Sequence, residues 1–197
     1  FDLVDKYGVD QIRYFLMREV PFGNDGDFSN SQLINRINSD LANNYGNLFQ
    51  RVISMIFKNC NEIIPTRPNH FQDEDLRLIN SIRNSLERYR SLIDEQKFDQ
   101  FLKNIWLVIS NANKYVDEQS PWSLKKNNFK RMEIVLYTLI ETIRQISIML
   151  QPFIPKTSKY VLDHLQVPLD QREIKSIELS FDGGIKISTP KPLFPRI

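Results

Sequence analysis

Apolar residues recur at steps of three and four along most of this chain, the spacing that places them on one face of a helix. The longest run starts at Leu33 and continues through Ile37, Leu41, Tyr45, Leu48, Val52 and Ile56. It predicts a helix over about residues 31–58, with Ser29-Asn30-Ser31 offering N-caps. Before it, residues 9–20 (VDQIRYFLMREV) predict a short, very apolar helix that Pro21 stops. Gly23-Asn24-Asp25-Gly26-Asp27 then reads as a turn-rich loop.

Pro65 and Pro68 mark the next connection. A third helix is expected over 72–95, with Leu76, Ile79, Leu86, Leu92 and Ile93 inside. A fourth, over 97–118, carries Phe98, Phe101, Leu102, Ile105, Ile109, Ala112 and Val116, and Ser120-Pro121-Trp122 interrupts it. Over 128–150, Phe129, Met132, Leu136, Leu139, Ile143, Ile146 and Leu150 alternate steps of three and four. That heptad-like spacing suits a helix packed nearly antiparallel in a bundle. Gln151-Pro152-Phe153-Ile154-Pro155 kinks the chain into a sixth helix, about 156–165. Residues 177–187 then alternate around Asp182-Gly183-Gly184, and four prolines within 168–195 argue against further helix. The pattern predicts an all-α fold, an antiparallel helix bundle with a short irregular or hairpin C-terminal arm.

Composition narrows the function. The 197 residues are 41% hydrophobic and 25% charged, as in globular domains. Lys and Arg number 26 against 24 acids, a net charge of +2, which excludes a nucleic-acid binder working by bulk charge. One Cys and two His exclude a disulfide scaffold and a self-contained zinc finger. The lone thiol, Cys60, fits a reducing cytoplasm. No stretch is long and apolar enough for a membrane helix. The chain opens on Phe1 in an already amphipathic stretch and is expected to be part of a longer protein.

Catalytic chemistry is not legible. His70 and His164 have no Ser or Cys signature beside them, and Cys60 reads as an ordinary helix-end residue. Asp73-Glu74-Asp75 sit where a helix begins, where carboxylates complement the backbone dipole, so no metal site is expected. Asp25-Gly26-Asp27 lacks the downstream Glu of a calcium loop.

Two constellations stand out. Asn43, Asn44, Asn47, Gln50 and Arg51 crowd three turns of the second helix, although Asn competes with the helical backbone. Asn47 and Arg51 are one turn apart and flank the apolar stripe, where a groove-lining pair would sit. An amide beside a guanidinium can read base edges and stack on rings. Separately, Pro121-Trp122 is followed by Lys125, Lys126, Lys130 and Arg131, and residues 121–131 contain no acid. An indole beside basic residues suits an unstacked base and its phosphates. On periodicity alone, Trp122 reads as a core plug at a helix junction and the lysines as a solvated face, and a helical bundle without a stated function is the better reading.

These residues resemble methionyl-tRNA synthetases, a class I family. Tyr7-Gly8-Val9-Asp10-Gln11-Ile12-Arg13-Tyr14-Phe15-Leu16-Met17-Arg18-Glu19 and Pro21-Phe22-Gly23-Asn24-Asp25-Gly26-Asp27-Phe28-Ser29 are similar to the stretch after that family's KMSKS loop. Asp40-Leu41-Ala42-Asn43 with Asn47-Leu48-Phe49-Gln50-Arg51 resembles its anticodon-reading helix. Gln119-Ser120-Pro121-Trp122 resembles its stacking Pro-Trp, and Pro192-Leu193-Phe194-Pro195-Arg196-Ile197 its closing segment.

The resemblance implies that Asn47 and Arg51 hydrogen-bond bases of the CAU anticodon of tRNA(Met), chiefly the cytosine. It implies that Trp122 stacks on the anticodon, that Pro121 shapes the platform, and that Asn43 assists. Lys125, Lys126, Lys130 and Arg131 are expected on the RNA backbone. Residues 1–29 would be the joint to a catalytic domain, 30–166 the anticodon-binding bundle, and 167–197 an arm packing back toward the joint. Ile12, Tyr14, Phe15, Leu16 and Met17 would face that catalytic domain, which would bind ATP (with Mg2+) and methionine. Its HIGH and KMSKS signatures do not occur here, so these residues alone are expected to have no cofactor and to charge no tRNA. A leucine, isoleucine or valine synthetase would share the domain type. A non-enzymatic helical scaffold would instead bury Trp122 fully.

Overall fold

The computed structural model describes residues 2–20, 23 and 28–197. Pro21 and residues 24–27, including the Asp25-Gly26-Asp27 turn, lie outside the described residues. Helices α1 (Asp2–Tyr7) and α2 (Val9–Glu19) open the chain. A continuous helical rod follows: α3 (Asn30–Arg36), a π-helical stretch (Ile37–Gly46) and α4 (Asn47–Asn59). Then come α5 (Asp73–Arg83), α6 (Leu86–Asp94), α7 (Phe98–Gln119), α8 (Pro121–Asn127), α9 (Phe129–Leu150) and α10 (Pro155–His164). Among the described residues, helices and short 3-10 turns are the only regular elements beyond one isolated bridge.

The rod buries the whole predicted stripe, with Leu33, Ile37, Leu41, Tyr45, Leu48, Val52 and Ile56 all fully inside. Its middle is wound more widely than an α-helix: the Asn47 N–H reaches back to the Ala42 carbonyl, five residues away. Leu33, Ile37, Leu41 and Tyr45 are spaced by consecutive fours, which drifts around an α-helix but stays aligned when α and π winding are mixed. Gly46 belongs to this winding, because a Cβ there would lie 2.9 Å from the Leu41 carbonyl oxygen.

Helix α9 is the central post. Met132, Leu136, Leu139, Ile143, Ile146 and Leu150 are fully buried, while Phe129 is 45% exposed. The Tyr45 and Ser147 hydroxyls share a 2.8 Å hydrogen bond, and Cys60 lies beside Glu133, so α9 runs antiparallel to the rod. It is antiparallel to α7 as well: Gln119 meets Arg131 at one end and Phe101 stacks on Phe153 at the other. Helix α7 runs alongside the rod in the same direction.

Two expectations need correction, and a third, the irregular or hairpin arm, takes its irregular form. The third helix is two: α5 ends at Arg83 and α6 starts at Leu86. Asn84 and Ser85 stand at the break, both with side chains that compete with helical hydrogen bonds. In the new register Leu76 is 41% exposed, whereas Leu78, Ile79 and Ile82 are buried. Second, the apolar surplus of α2 mostly faces this chain's own core: Tyr14 and Phe15 are buried, and Leu16 is exposed. Asp10 of α2 also caps α10, accepting from the Thr157 N–H at 2.7 Å and from its hydroxyl at 2.7 Å. Third, the tail makes no hairpin with itself.

Instead the tail lies along the connection after α4. Ile64 N–H donates to the Ile185 carbonyl at 2.9 Å, and Gly184 N–H to the Ile64 carbonyl at 2.8 Å. The chain end docks on the rod, where Asn38 brackets Ile197 with bonds of 2.9 and 3.0 Å, and Phe194 is buried. Gly183 has φ +72, and a Cβ there would stand 2.1 Å from the Pro65 carbonyl oxygen. Gly183→Ala is therefore expected to destabilise the chain by about 2–3 kcal/mol, measured by urea unfolding.

Candidate nucleic-acid interface

The π stretch ends at Gly46, and its wide winding hands the chain to α4 at Asn47. Asn43 and Asn47 are exposed, and neither side chain makes a hydrogen bond among the described residues. Arg51 follows one turn later and is half-buried. Asn44 turns the other way. Its amide donates to Ser110 Oγ at 3.2 Å and its side-chain oxygen accepts from Asn113 at 2.8 Å, so it is a strut to α7.

The second half of the site is set by a sharp corner between α7 and α8. Ser120 adopts a left-handed backbone conformation (φ 43, ψ 58) directly before Pro121, and its hydroxyl donates to the Asp117 carbonyl at 2.8 Å. Pro121 suits the first helical position, where no N–H is needed, and it is buried as a footing. Trp122 then projects outward and is 49% exposed, which rules out the fully buried plug of the scaffold reading.

The fold brings these two halves together. The Arg51 guanidinium carbon lies 5.9 Å from the centre of the Trp122 ring, within cation–π range. Arg51 Nη2 pairs with Asp117 Oδ1 at 2.5 Å. That bond fixes one edge of the planar fork and leaves its other N–H donors open. The result is an exposed ring, a steered guanidinium and a free amide one turn away.

Lys125, Lys126 and Lys130 are exposed beside this site and make no ion pairs among the described residues. Arg131 is different, and its expected contact with RNA backbone is corrected here. It is buried, pairing with Asp75 through two bonds of 2.5 and 2.8 Å, and it donates to Gln119 at 2.7 Å. A guanidinium held this way is internal scaffolding.

The remaining chemistry candidates stay bland. Burial, with Glu133 adding to it, pushes the Cys60 thiol up to about 11, so it is protonated and inert at neutral pH. Burial pulls His164 below its ordinary value, and the ring packs edge-on to Phe49 at 5.6 Å. No group of acidic, His or Cys side chains among the described residues could hold a metal ion. A cavity of about 610 Å³ is lined mainly by apolar side chains such as Met17, Phe98 and Phe153, at the far end of α7 from Trp122.

Sequence reasoning missed Asp117 and Asn113, and it named Ser120 only as part of the break before Trp122. Asn113 carried a readable signal: it is a mid-helix Asn next to the buried Ala112, and such a side chain needs a partner.

Residues 1–53 match the family model described as tRNA synthetases class I (M), and residues 64–197 match the anticodon binding domain of methionyl tRNA ligase. The candidate site straddles the two, with Asn47 and Arg51 in the first and Trp122 in the second. A methionine–tRNA ligase of Brucella suis biovar 1 is 45% identical over 197 residues, covering 100% of this chain and 38% of that protein. One of Caldanaerobacter subterraneus subsp. tengcongensis is 44% identical, covering 100% of this chain and 31% of that one. The free-state crystal structure of Mycobacterium tuberculosis methionyl-tRNA synthetase superimposes with a TM-score of 0.94 at 38% identity, covering 100% of this chain and 40% of that chain. The same enzyme in complex with methionyl-adenylate also gives 0.94, at 39% identity, covering 99% of this chain and 39% of that chain. This chain thus spans about two-fifths of the length of the relatives it matches or less. It belongs to the methionyl-tRNA ligase family, its residues 64–197 matching that family's anticodon-binding domain.

Proposed function

We propose that this chain reads the CAU anticodon loop of tRNA(Met) for a methionine–tRNA ligase, which joins methionine to tRNA at the expense of ATP. The observation that carries the reading is the exposed Trp122 ring set 5.9 Å from the Arg51 guanidinium, on elements far apart in sequence. An unstacked base needs a flat apolar partner and a charged edge-reader at once, and this pair offers both. Trp122 stacks on the loop, with Pro121 as its footing. Arg51 and Asn47 hydrogen-bond base edges, chiefly those of the cytosine, and Asn43 extends the same row. Lys125, Lys126 and Lys130 meet phosphates.

In this reading residues 1–29 adjoin the ligase's own catalytic domain, residues 30–166 form the anticodon-binding unit, and 167–197 are an arm that braces it. ATP, Mg2+ and methionine are handled by that catalytic domain, and no chemical step falls to the residues described above. The setting is cytoplasmic translation, and no helix among the described residues is long and apolar enough to cross a membrane.

Trp122→Ala and Arg51→Ala are each expected to weaken binding of an RNA stem-loop carrying CAU by about 1–3 kcal/mol, measured by calorimetry. Replacing the loop cytosine should cost the parent a comparable amount. Salt should weaken binding with a shallow slope, because few phosphates are neutralised. If both variants bind as tightly as the parent, the site assignment is wrong.

A further inference from the structure

The wide winding of residues 37–46 has a physical cost. An i→i+5 winding is rare beside the α-helix, and this one is braced from outside. Two carbonyls of the stretch, those of Asp40 and Asn44, accept from side chains beyond the rod. Trp106 Nε1 donates to the Asp40 carbonyl at 3.2 Å, and Asn113 Nδ2 to the Asn44 carbonyl at 3.3 Å. Both donors belong to α7 and lie two turns apart on one face of it. Asn113 also bonds the Asn44 side chain at 2.8 Å. The Asn44 carbonyl is itself an acceptor for the Asn47 N–H, so Asn113 grips the same atom that anchors the first residue of α4.

We propose that Trp106 and Asn113 are positioning residues that hold the π winding and thereby aim Asn47 at the RNA. Adding or removing a π turn rotates everything that follows it around the rod. Asn47 directly follows this stretch, and Arg51 is one turn on. If the winding relaxed to α, Asn47 and Arg51 would turn together away from Trp122, which is carried on α8 and would stay. The two donors therefore set what the amide can read without touching RNA. This inference rests on the proposed anticodon reading for its consequence, but the winding itself can be tested without RNA.

The experiment uses the full chain and two shape-preserving variants. Asn113→Asp keeps the side-chain outline but turns an oxygen toward the Asn44 carbonyl. Trp106→Phe keeps a ring and removes only the donor to Asp40. In the RNA-free chain, hydrogen exchange at the Gly46 and Asn47 amides is expected to speed up by about ten-fold in each variant. Unchanged exchange in both would overturn the positioning role.

With the CAU stem-loop, Asn113→Asp is expected to bind roughly ten-fold more weakly. Asn47→Ala should then add less than about two-fold in that background, whereas Trp122→Ala keeps its full effect, since coupled residues are non-additive. Part of the Asn113→Asp loss, measured against the parent at the same pH, should return in acid, where a protonated carboxyl becomes a donor. Independent, multiplying effects of Asn113→Asp and Asn47→Ala would sink the proposal. Loss of RNA binding in neither Asn47→Ala nor Trp122→Ala would instead indict the anticodon reading and leave the exchange result standing. If Asn113→Asp does not fold, Trp106→Phe carries both arms, with about three- to five-fold weaker binding expected.

Discussion

Arg131→Ala is expected to cost about 3–5 kcal/mol of folding stability, more than any single change at the exposed lysines beside it. Asp75 is fully buried and Arg131 nearly so. The carboxylate takes two bonds from Arg131, at 2.5 and 2.8 Å, one from the Tyr115 hydroxyl at 2.5 Å and one from the Gln72 N–H at 2.9 Å. Removing the guanidinium leaves a charge sealed in apolar surroundings with neutral donors only. Urea unfolding should show the loss, and Lys130→Ala should show almost none. Replacing both partners, as in Asp75→Asn with Arg131→Met, should recover much of it, because no orphaned charge remains.

The same pair sets an acid dependence. Burial pushes the Asp75 carboxyl up, but hydrogen bonds from Arg131, Tyr115 and the Gln72 backbone outweigh it and hold the carboxyl below its ordinary value. A depressed folded-state value means stability that is fully present above the unfolded pKa, roughly 4, and lost as pH falls through the folded value. In Arg131→Ala the burial acts without its main counterweight, and the carboxyl rises. The variant should therefore lose further stability as pH increases toward neutrality, where the parent is flat. A parallel pH profile for the two proteins would contradict this account.

Glu141→Ala is expected to cost a similar 3–5 kcal/mol and to free the C-terminal arm. Glu141 lies inside α9 and accepts from Arg83 at 2.7 Å, from Arg144 at 2.8 and 2.9 Å, and from Gln145 at 2.9 Å. Both arginines also hold the arm. Arg83 donates to the Ile177 carbonyl at 3.0 Å, and Arg144 to the Leu179 carbonyl at 2.7 Å. One carboxylate thus neutralises two guanidinium groups that grip the backbone of residues 176–179. Without it, the buried Arg144 and the half-buried Arg83 face only carbonyl dipoles and repel each other. The expected readout is tryptic cleavage at the exposed Lys175 at least ten times faster than in the parent, alongside the lower unfolding midpoint. Glu141→Gln, which keeps the shape and an acceptor, should release the arm less.

The bundle was readable because burial leaves a periodic trace. Every residue of the Leu33–Ile56 stripe is inside, and Pro121 and Pro155 mark the starts of α8 and α10 as their fixed φ allows. The π stretch left a faint trace in its consecutive four-residue steps. The break at Asn84-Ser85 was hidden because Leu86 and Leu92 remain compatible with either one helix or two. Within the candidate site, Asn47, Arg51 and Trp122 were legible as unusual residues. Asp117 was not, because an acid near the end of a helix looks like any other solvated charge.

By itself the sequence determined the helical class, the core face of each long helix, and the one-turn spacing of Asn47 and Arg51. Those are local matters: a helix carries its side chains at fixed angles, so spacing along the chain dictates which residues share a face. Tertiary structure alone decided which polar residues are outward and which are internal. Lys130 and Arg131 are neighbours in one basic run, yet one is exposed and the other is locked to Asp75, 56 positions away. Arg51 meets Trp122 only because α7 lies alongside the rod and turns at Ser120. Whether a charge faces water or a partner depends on desolvation and pairing across distant segments, which no spacing within a single helix records.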